Sequence, residues 1–381
     1  MTEGGAAAGA VRETTVFLSH FEALADYRQR GKIAYPLDEV LLVMLAAALA
    51  GAETVVDIAR FGRAKLSFLR RFRPFANGTP SHDQLGIILA KLDPVGFQRC
   101  FAAWTAALTK TSAEVIAIDG KTVRRSYQKK GAEEPIHVVS AFAARQRMVL
   151  GQVKVGDKSN EIVAIPALIE LLAIEGAVVT IDAMGCQRAI AHTIIDKKAD
   201  YILALKGNQG ALRDDVELFA REQKAVAFKD TSVSRDAAVE GGHGRIETRT
   251  TTVFHNIGWL QNTHQWPGLK SLVMVESQRE TDGKVETETR FYITSLTLVA
   301  SALGPMIRSH WMIENGLHWV LDMIFRDDDC RVRTDNAPFN LAIIKHIALN
   351  VLRTGKSKDS LRVRRKVAAW DENALAAYIA A

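Results

Sequence analysis

Three acids in this chain occur in settings where a shared divalent cation could bind. The first is Asp119, in the stretch EVIAIDGKTVRRSY over 114–127. An apolar run, Val115 to Ile118, stops at the carboxylate, and Gly120, Lys121, Arg124, Arg125 and Lys129 follow closely. The second is Asp182, which ends a similar run in AVVTIDAMG. The third is Glu314, in RSHWMIENGLHWVLDMIF, with His310 four residues before it, His318 four after it and Asp322 beyond. Spacing of four puts these polar groups along one side of a helix. Ile313, Leu317, Val320 and Ile324 make the side that packs.

Two carboxylates a few ångströms apart resist joint ionisation unless a cation neutralises them. Hard carboxylate oxygens suit Mg2+ or Mn2+. The bland alternative is that each Asp caps a turn or the following helix. The histidines beside Glu314 could be zinc ligands, yet no HExxH motif is present, and ordinary buried histidines fit as well. Gly120-Lys121-Thr122 resembles the end of a phosphate loop, but Val115 stands where that loop needs glycine. The chain has no GxGxxG and no GxSxG, so neither a dinucleotide cofactor nor a serine elbow is supported.

The acids need elements to position them. EVIAIDG, PIHVVSAFA and MVLGQVKVG read as strands, then EIVAIPALIELLAI as a helix, AVVTIDAMG as a strand, CQRAIAHTIIDKKA as a helix and YILALKG as a strand. The order β-β-β-α-β-α-β is what a ribonuclease-H-like sheet requires. It places the first and fourth strands side by side, with Asp119 and Asp182 at neighbouring ends. The expected fold class is therefore α/β: a ribonuclease-H-like mixed-sheet core, a β-rich insertion over about 225–296, and an all-helical N-terminal domain. Residues 1–15 read as a disordered tail, 16–112 as the helical domain with possible DNA binding, 113–355 as the core domain, and 356–381 as a basic C-terminal tail.

The 381 residues are 48% apolar, enough for a large core. Net charge is +6 with pI near 9.1, which favours a polyanionic partner or simply a basic surface. Arg60, Arg63, Lys65, Arg70, Arg71 and Arg73 concentrate charge in one helical stretch, readable as a solvated face or a DNA-contacting one. Cys100, Cys186 and Cys330 are odd in number and far apart, so a reducing compartment is expected. The start of the chain lacks the features of a signal peptide, and Val40 to Ala52 falls short of the ~20 residues needed to span a bilayer.

IAIDGKTVRRS, TIDAMGCQ, YILALKGNQ, HGRIETR and RSHWMIENGLHWVLDMIFRDDDCRVRTDNAPFNLAIIKHIALNVLR together resemble the ISAs-type insertion-sequence transposases. These are also called H-repeat-associated proteins, within the DDE superfamily. The resemblance spans about Phe21 to Arg353. It implies a mobile-element enzyme with Asp119, Asp182 and Glu314 as catalytic, metal-binding acids, using two Mg2+ or Mn2+ ions. It implies endonucleolytic cleavage at transposon ends and strand transfer by a 3′-hydroxyl. Terminal inverted repeats and target DNA would be the partners, without a membrane, for a homodimer or higher assembly in a bacterial, nucleoid-associated cytoplasm. Lys121, Arg124, Arg125, Lys206, Arg245, Arg308 and His318 are the expected DNA contacts, with His243, Gly244 and Glu247 beside Arg245 in the insertion. A related group carries Arg and Lys around its last acid where this chain has His310 and Leu321, and Arg308 is the candidate for the missing cation. The competing readings are a domesticated relative that binds DNA without cutting it and a generic metal-dependent nuclease on the same core.

Overall fold

The computed structural model describes residues 15–109, 114–127, 134–156, 159–242, 245–281 and 283–380. Lys129, His243, Gly244 and nearly all of the expected N-terminal tail lie outside them. The chain divides into two compact units. One comprises Met1–Trp104, Val123–Ile136 and Val320–Ala381, and the other Thr105–Thr122 and His137–Trp319.

The first unit is helical. It contains α1 (Val16–Ser19), α2 (Leu37–Leu49), α3 (Val55–Ala64), α4 (Leu66–Leu69), α5 (His82–Lys91) and most of α6 (Pro94–Leu108). Two of these helices begin with reciprocal capping boxes, Thr54 with Asp57 and Ser81 with Gln84. The apolar α2 buries nearly every residue, which explains a hydrophobic run too short for a bilayer. No described helix is long and apolar enough to cross a membrane.

The second unit is organised around one nine-stranded sheet. Its strands are β1 (Val115–Thr122), β2 (His137–Ala143), β3 (Met148–Lys154), β4 (Val178–Ile181), β5 (Asp200–Leu205), β6 (Val233–Gly242), β7 (Arg245–Phe254), β8 (Ser271–Thr281) and β9 (Lys284–Thr294). Their spatial order is β3-β2-β1-β4-β5-β9-β8-β7-β6. The pairs β1–β4 and β4–β5 are parallel, and the other pairs are antiparallel. Between the parallel strands run the crossover helices α7 (Glu161–Leu171) and α8 (Arg188–Asp196), as parallel pairing demands. Both helices add apolar residues to a core that covers one sheet face, Ile165 and Leu168 from α7 and Ile190 and Ile194 from α8. The helices α9 (Gly210–Ala225), α10 (Gly258–His264) and α11 (Ala300–Ser309) follow. Leu303 and Ile307 of α11 pack with Val178, Ile202, Val253 and Val273 in a second cluster.

The stretch expected to be β-rich, about 225–296, holds β6 to β9, which belong to the same sheet. β9 pairs with β5, Leu203 opposite Ile293, so β6 to β9 extend the core sheet. Sequence pattern gives strand type but not which distant edge a strand joins. The chain continues through a π-helical turn (Glu314–His318), α12 (Trp319–Ile324), α13 (Ala337–Thr354), α14 (Leu361–Trp370) and α15 (Glu372–Ala380). The expected basic tail over 356–381 thus carries two helices. In the first unit, Asn340 of α13 donates to Leu89 O and Leu92 O, and Lys91 pairs with Asp335 at 2.7 Å. These contacts tie the C-terminal helices to the N-terminal ones, so the borders of the compact units differ from the expected 112/113 and 355/356.

Candidate metal centre

Asp119 and Asp182 are placed by strand register. Ile118 pairs with Ile181 across the parallel β1–β4 ladder, so each acid lies one step beyond a matched pair. Ala117 pairs with Thr180, and alternation along β1 turns Asp119 to the same face as Thr180. On that face Thr180 Oγ1 shares a hydrogen bond of 3.0 Å with His310 Nδ1. Burial lowers the pKa of His310, which favours a neutral ring.

The third acid comes from the π turn, whose extra residue departs from the regular helix repeat. His318 Nδ1 lies 3.6 Å from Glu314 Oε2 and 3.6 Å from Asp119 Oδ2. One donor atom from each of Asp119, Glu314 and His318 falls within 4.8 Å of the others. The His318 side chain is 9% exposed, and its Nε2 is buried with no hydrogen-bond partner among the described residues. Close packing sets this turn: a Cβ on Gly316 would meet the Phe142 ring of β2 at 2.9 Å.

The electrostatics follow the geometry. Burial pushes the Asp119 carboxyl up to about 7, opposed by the His318 imidazole and aided by Glu314. Glu314 is more exposed, and its polar contact with His318 holds it below the usual carboxylate range. A dicarboxylate with one imidazole and an unsatisfied ring nitrogen suits a divalent cation, with Mn2+ tolerating the nitrogen donor better than Mg2+. Asp182 is adjacent in register but is not among those three residues. Its Oδ1 accepts from Met184 N at 3.0 Å and Gly185 N at 3.4 Å, the turn-capping role weighed as the alternative.

Behind the tip of β1 lies a second polar group that sequence reasoning missed. Thr122 Oγ1 and His137 Nδ1 are 2.8 Å apart, and His137 Nε2 and Glu161 Oε1 are 2.6 Å apart. A Cβ on Gly120 would fall 2.1 Å from Glu161 Oε1, so the residue after Asp119 must be glycine for this packing. No sequence signal links Thr122, His137 and Glu161, because strand pairing and the start of α7 bring them together.

The expected DNA-contacting cations lie on several different elements. Lys121 lies on β1, and Lys206 is exposed just beyond β5. Arg308 pairs with Glu240. Arg245 opens β7 and lines a cavity of about 870 Å3 with Arg279, Lys284, Glu247 and Glu286. In the first unit, Arg124 and Arg125 pair with Asp328 at 3.3 Å and Asp329 at 3.6 Å. Those partners sit in the DDD run, whose acids the sequence reading left without a role.

Residues 110–351 match the family profile described as "Transposase DDE domain", and residues 18–105 match the one described as "DDE_Tnp_1-associated". The chain is 39% identical over 377 residues to "H repeat-associated putative transposase YhhI" of Escherichia coli strain K12, covering 97% of this chain and 98% of that protein. It is 44% identical over 283 residues to a protein encoded in the dhlA 3′ region of Xanthobacter autotrophicus, covering 73% and 93% respectively. A solved piggyBac transposase synaptic complex with hairpin DNA aligns with a TM-score of 0.40 at 10% identity, over 90% of this chain and 73% of that one, a likeness too low to carry an argument. On the profile match and the near full-length relatives, the chain belongs to the DDE transposase family.

Proposed function

We propose that this protein cuts and rejoins DNA by phosphoryl transfer at a divalent-cation centre on a ribonuclease-H-like core. The observation that carries the reading is the convergence of Asp119, Glu314 and His318 within 4.8 Å, beside an Asp182 in matched register. Asp119, Glu314 and His318 would hold Mg2+ or Mn2+, and Asp182 would join after its carboxylate rotates from its own turn. When bound, such a cation neutralises the acids and the charge that gathers on a phosphodiester in transfer.

The chain's own groups have separable tasks. His318 Nδ1 stands 3.6 Å from each of two carboxylates, so one imidazole sets the local charge on both. His310, held by Thr180 and kept neutral, adds no repelling charge to a cation site. Lys121 and Lys206 would hold flanking phosphates, fixing the strand without reading its sequence. The helical N-terminal region, with Arg60, Arg63 and Arg70 exposed along it, would bind the element's ends, and synapsis of two ends would call for a homodimer or larger assembly.

One observation favours the second reading, a family member that binds DNA without cutting it: Asp182 Oδ1 is already engaged by two backbone amides. A cleavage assay on terminal-repeat DNA with Mg2+ or Mn2+ separates the two. Asp119→Asn, Asp182→Asn and Glu314→Gln should each abolish cleavage and strand transfer while retaining DNA in a gel-shift assay. Cutting by all three variants would overturn the assignment of the acids.

A further inference from the structure

The C-terminal segment divides its cations between two tasks. Arg364 donates to the carbonyls of Leu352, Ser357, Gly355 and Asp359. Arg365 is buried and donates to Ala48 O, Ala52 O and Ile324 O, with its guanidinium 4.3 Å from the Phe325 ring centre. These two arginines pin α14 in place through backbone carbonyls, which any sequence could offer. Their neighbours Arg362 and Lys366 point outward and are exposed, as are Lys356 and Lys358 just before the helix. Among the described residues none of these four cations has a hydrogen-bond or ion-pair partner.

The outward side of α14 is also aromatic. At 100° per residue, Arg362, Lys366, Trp370 and Val363 fall within about 100° of the helix circumference. Trp370 is 74% exposed, and Val363 is exposed as well. Exposed tryptophan set against unpaired cations leaves apolar area in water that a partner would cover. The four cations outnumber the two nearby acids, Asp359, which accepts from Ser357, and Asp371, which accepts from Asn373 N. The surface is therefore complementary to a polyanion that also offers flat apolar area.

We infer that the exposed face of α14, with Lys356, Lys358, Arg362, Lys366 and Trp370, is a duplex-DNA-binding surface in the first compact unit. The cations meet phosphates, and the Trp370 ring packs on sugar or on an unstacked base. This inference rests on the proposal above that DNA is the partner, and it adds a contact surface that the acids on the sheet do not supply. Phosphate contacts give affinity and salt sensitivity without sequence choice, so the face would contribute equally on any duplex.

The test is fluorescence anisotropy of the full chain with a labelled duplex over a series of salt concentrations. Each phosphate contact contributes about 0.9 to the slope of log affinity against log salt. Arg362→Gln with Lys366→Gln should reduce that slope by about 2, on terminal-repeat and unrelated duplexes alike. Trp370→Ala should weaken binding and leave the slope unchanged. All these side chains are exposed, so thermal melts of the variants should match wild type. Unchanged slope and affinity in the double variant would overturn the inference, as would loss of binding to anionic lipid vesicles in place of DNA. The two proposals fail separately. Acid variants at Asp119, Asp182 and Glu314 that all still cut sink the acid assignment alone, and a double variant that binds as wild type sinks this surface alone. A wild-type chain that retains no duplex sinks both.

Discussion

Asp119 and Glu314, 195 positions apart in the chain, present their carboxylates to the same nitrogen of His318, each at 3.6 Å. One imidazole therefore governs the charge on both acids. It lowers the Asp119 pKa against burial, and it is the largest cause of the depressed Glu314 value. Removing it should leave two carboxylates that disfavour each other's ionisation. His318→Ala should weaken Mn2+ binding by about 10–100-fold, the range seen when groups supporting a metal site are lost. The acid limb of any pH–rate profile should also move upward. Calorimetric titration with Mn2+ checks the first effect, and an unchanged affinity would remove His318 from the site.

Asp119 also ties stability to pH. Its carboxyl is raised from 3.8 to about 7 in the folded chain. Between those values the folded state keeps a proton that the unfolded state has released, so stability falls as pH rises through that window. The sign is opposite to that of a salt-bridged acid. With chelator present, Asp119→Asn should melt higher than wild type at pH 7.5, and the gap should close near pH 4. Added Mn2+ should stabilise wild type at pH 7.5 by binding the folded form, and it should leave the variant unmoved. Melting curves at both pH values decide it, and a variant that melts lower at pH 7.5 would contradict the burial argument.

The parts of the molecule that sequence made legible are the local ones. β-branched runs marked β1 and β4, and the order of the predicted elements set Asp119 beside Asp182, as the Ile118–Ile181 pairing has it. Spacing of four put His318 on the same side as Glu314. The π turn that brings both to Asp119 was not legible, because it depends on Phe142 of β2 filling the space over Gly316. The join of β9 to β5 was hidden for a similar reason, since register across distant segments is set by packing. The C-terminal helices read as a basic tail because Arg365 looks like surface charge until its carbonyl partners are known.

Gly316 offers a test of how the turn is held. A methyl there would sit 2.9 Å from the Phe142 ring, closer than carbon atoms pack. Gly316→Ala should cost about 1–3 kcal/mol as overpacking and displace Glu314 from Asp119. A smaller partner should relieve it, so Phe142→Leu combined with Gly316→Ala should recover Mn2+ affinity relative to Gly316→Ala alone. Titrations of the two single variants and the double variant form the cycle. Equal affinity in Gly316→Ala and wild type would show that the turn tolerates the added volume.

Arg365 should prove the anchor of the C-terminal helices. Its guanidinium is buried, its pKa is pushed down to about 10 by that burial, and it serves three carbonyls, two at the end of α2 and one on α12. Loss of the side chain removes a donor from those carbonyls, although Ala48 O still accepts from Gly51 N at 3.3 Å, and a buried polar group left unpaired costs about 1–3 kcal/mol. Arg365→Met keeps most of the apolar contact with Phe325 and removes only the donors, so it isolates the hydrogen-bonding contribution. Arg365→Lys keeps a charge but lacks the planar fork that reaches several carbonyls at once. Both variants should melt lower than wild type, by roughly 2–4 °C per kcal/mol lost. Limited proteolysis should cut first between Gly355 and Ser360, where the chain enters α14. If Arg365→Lys melts like wild type, a single ammonium suffices and the multiple-carbonyl account of the anchor is wrong.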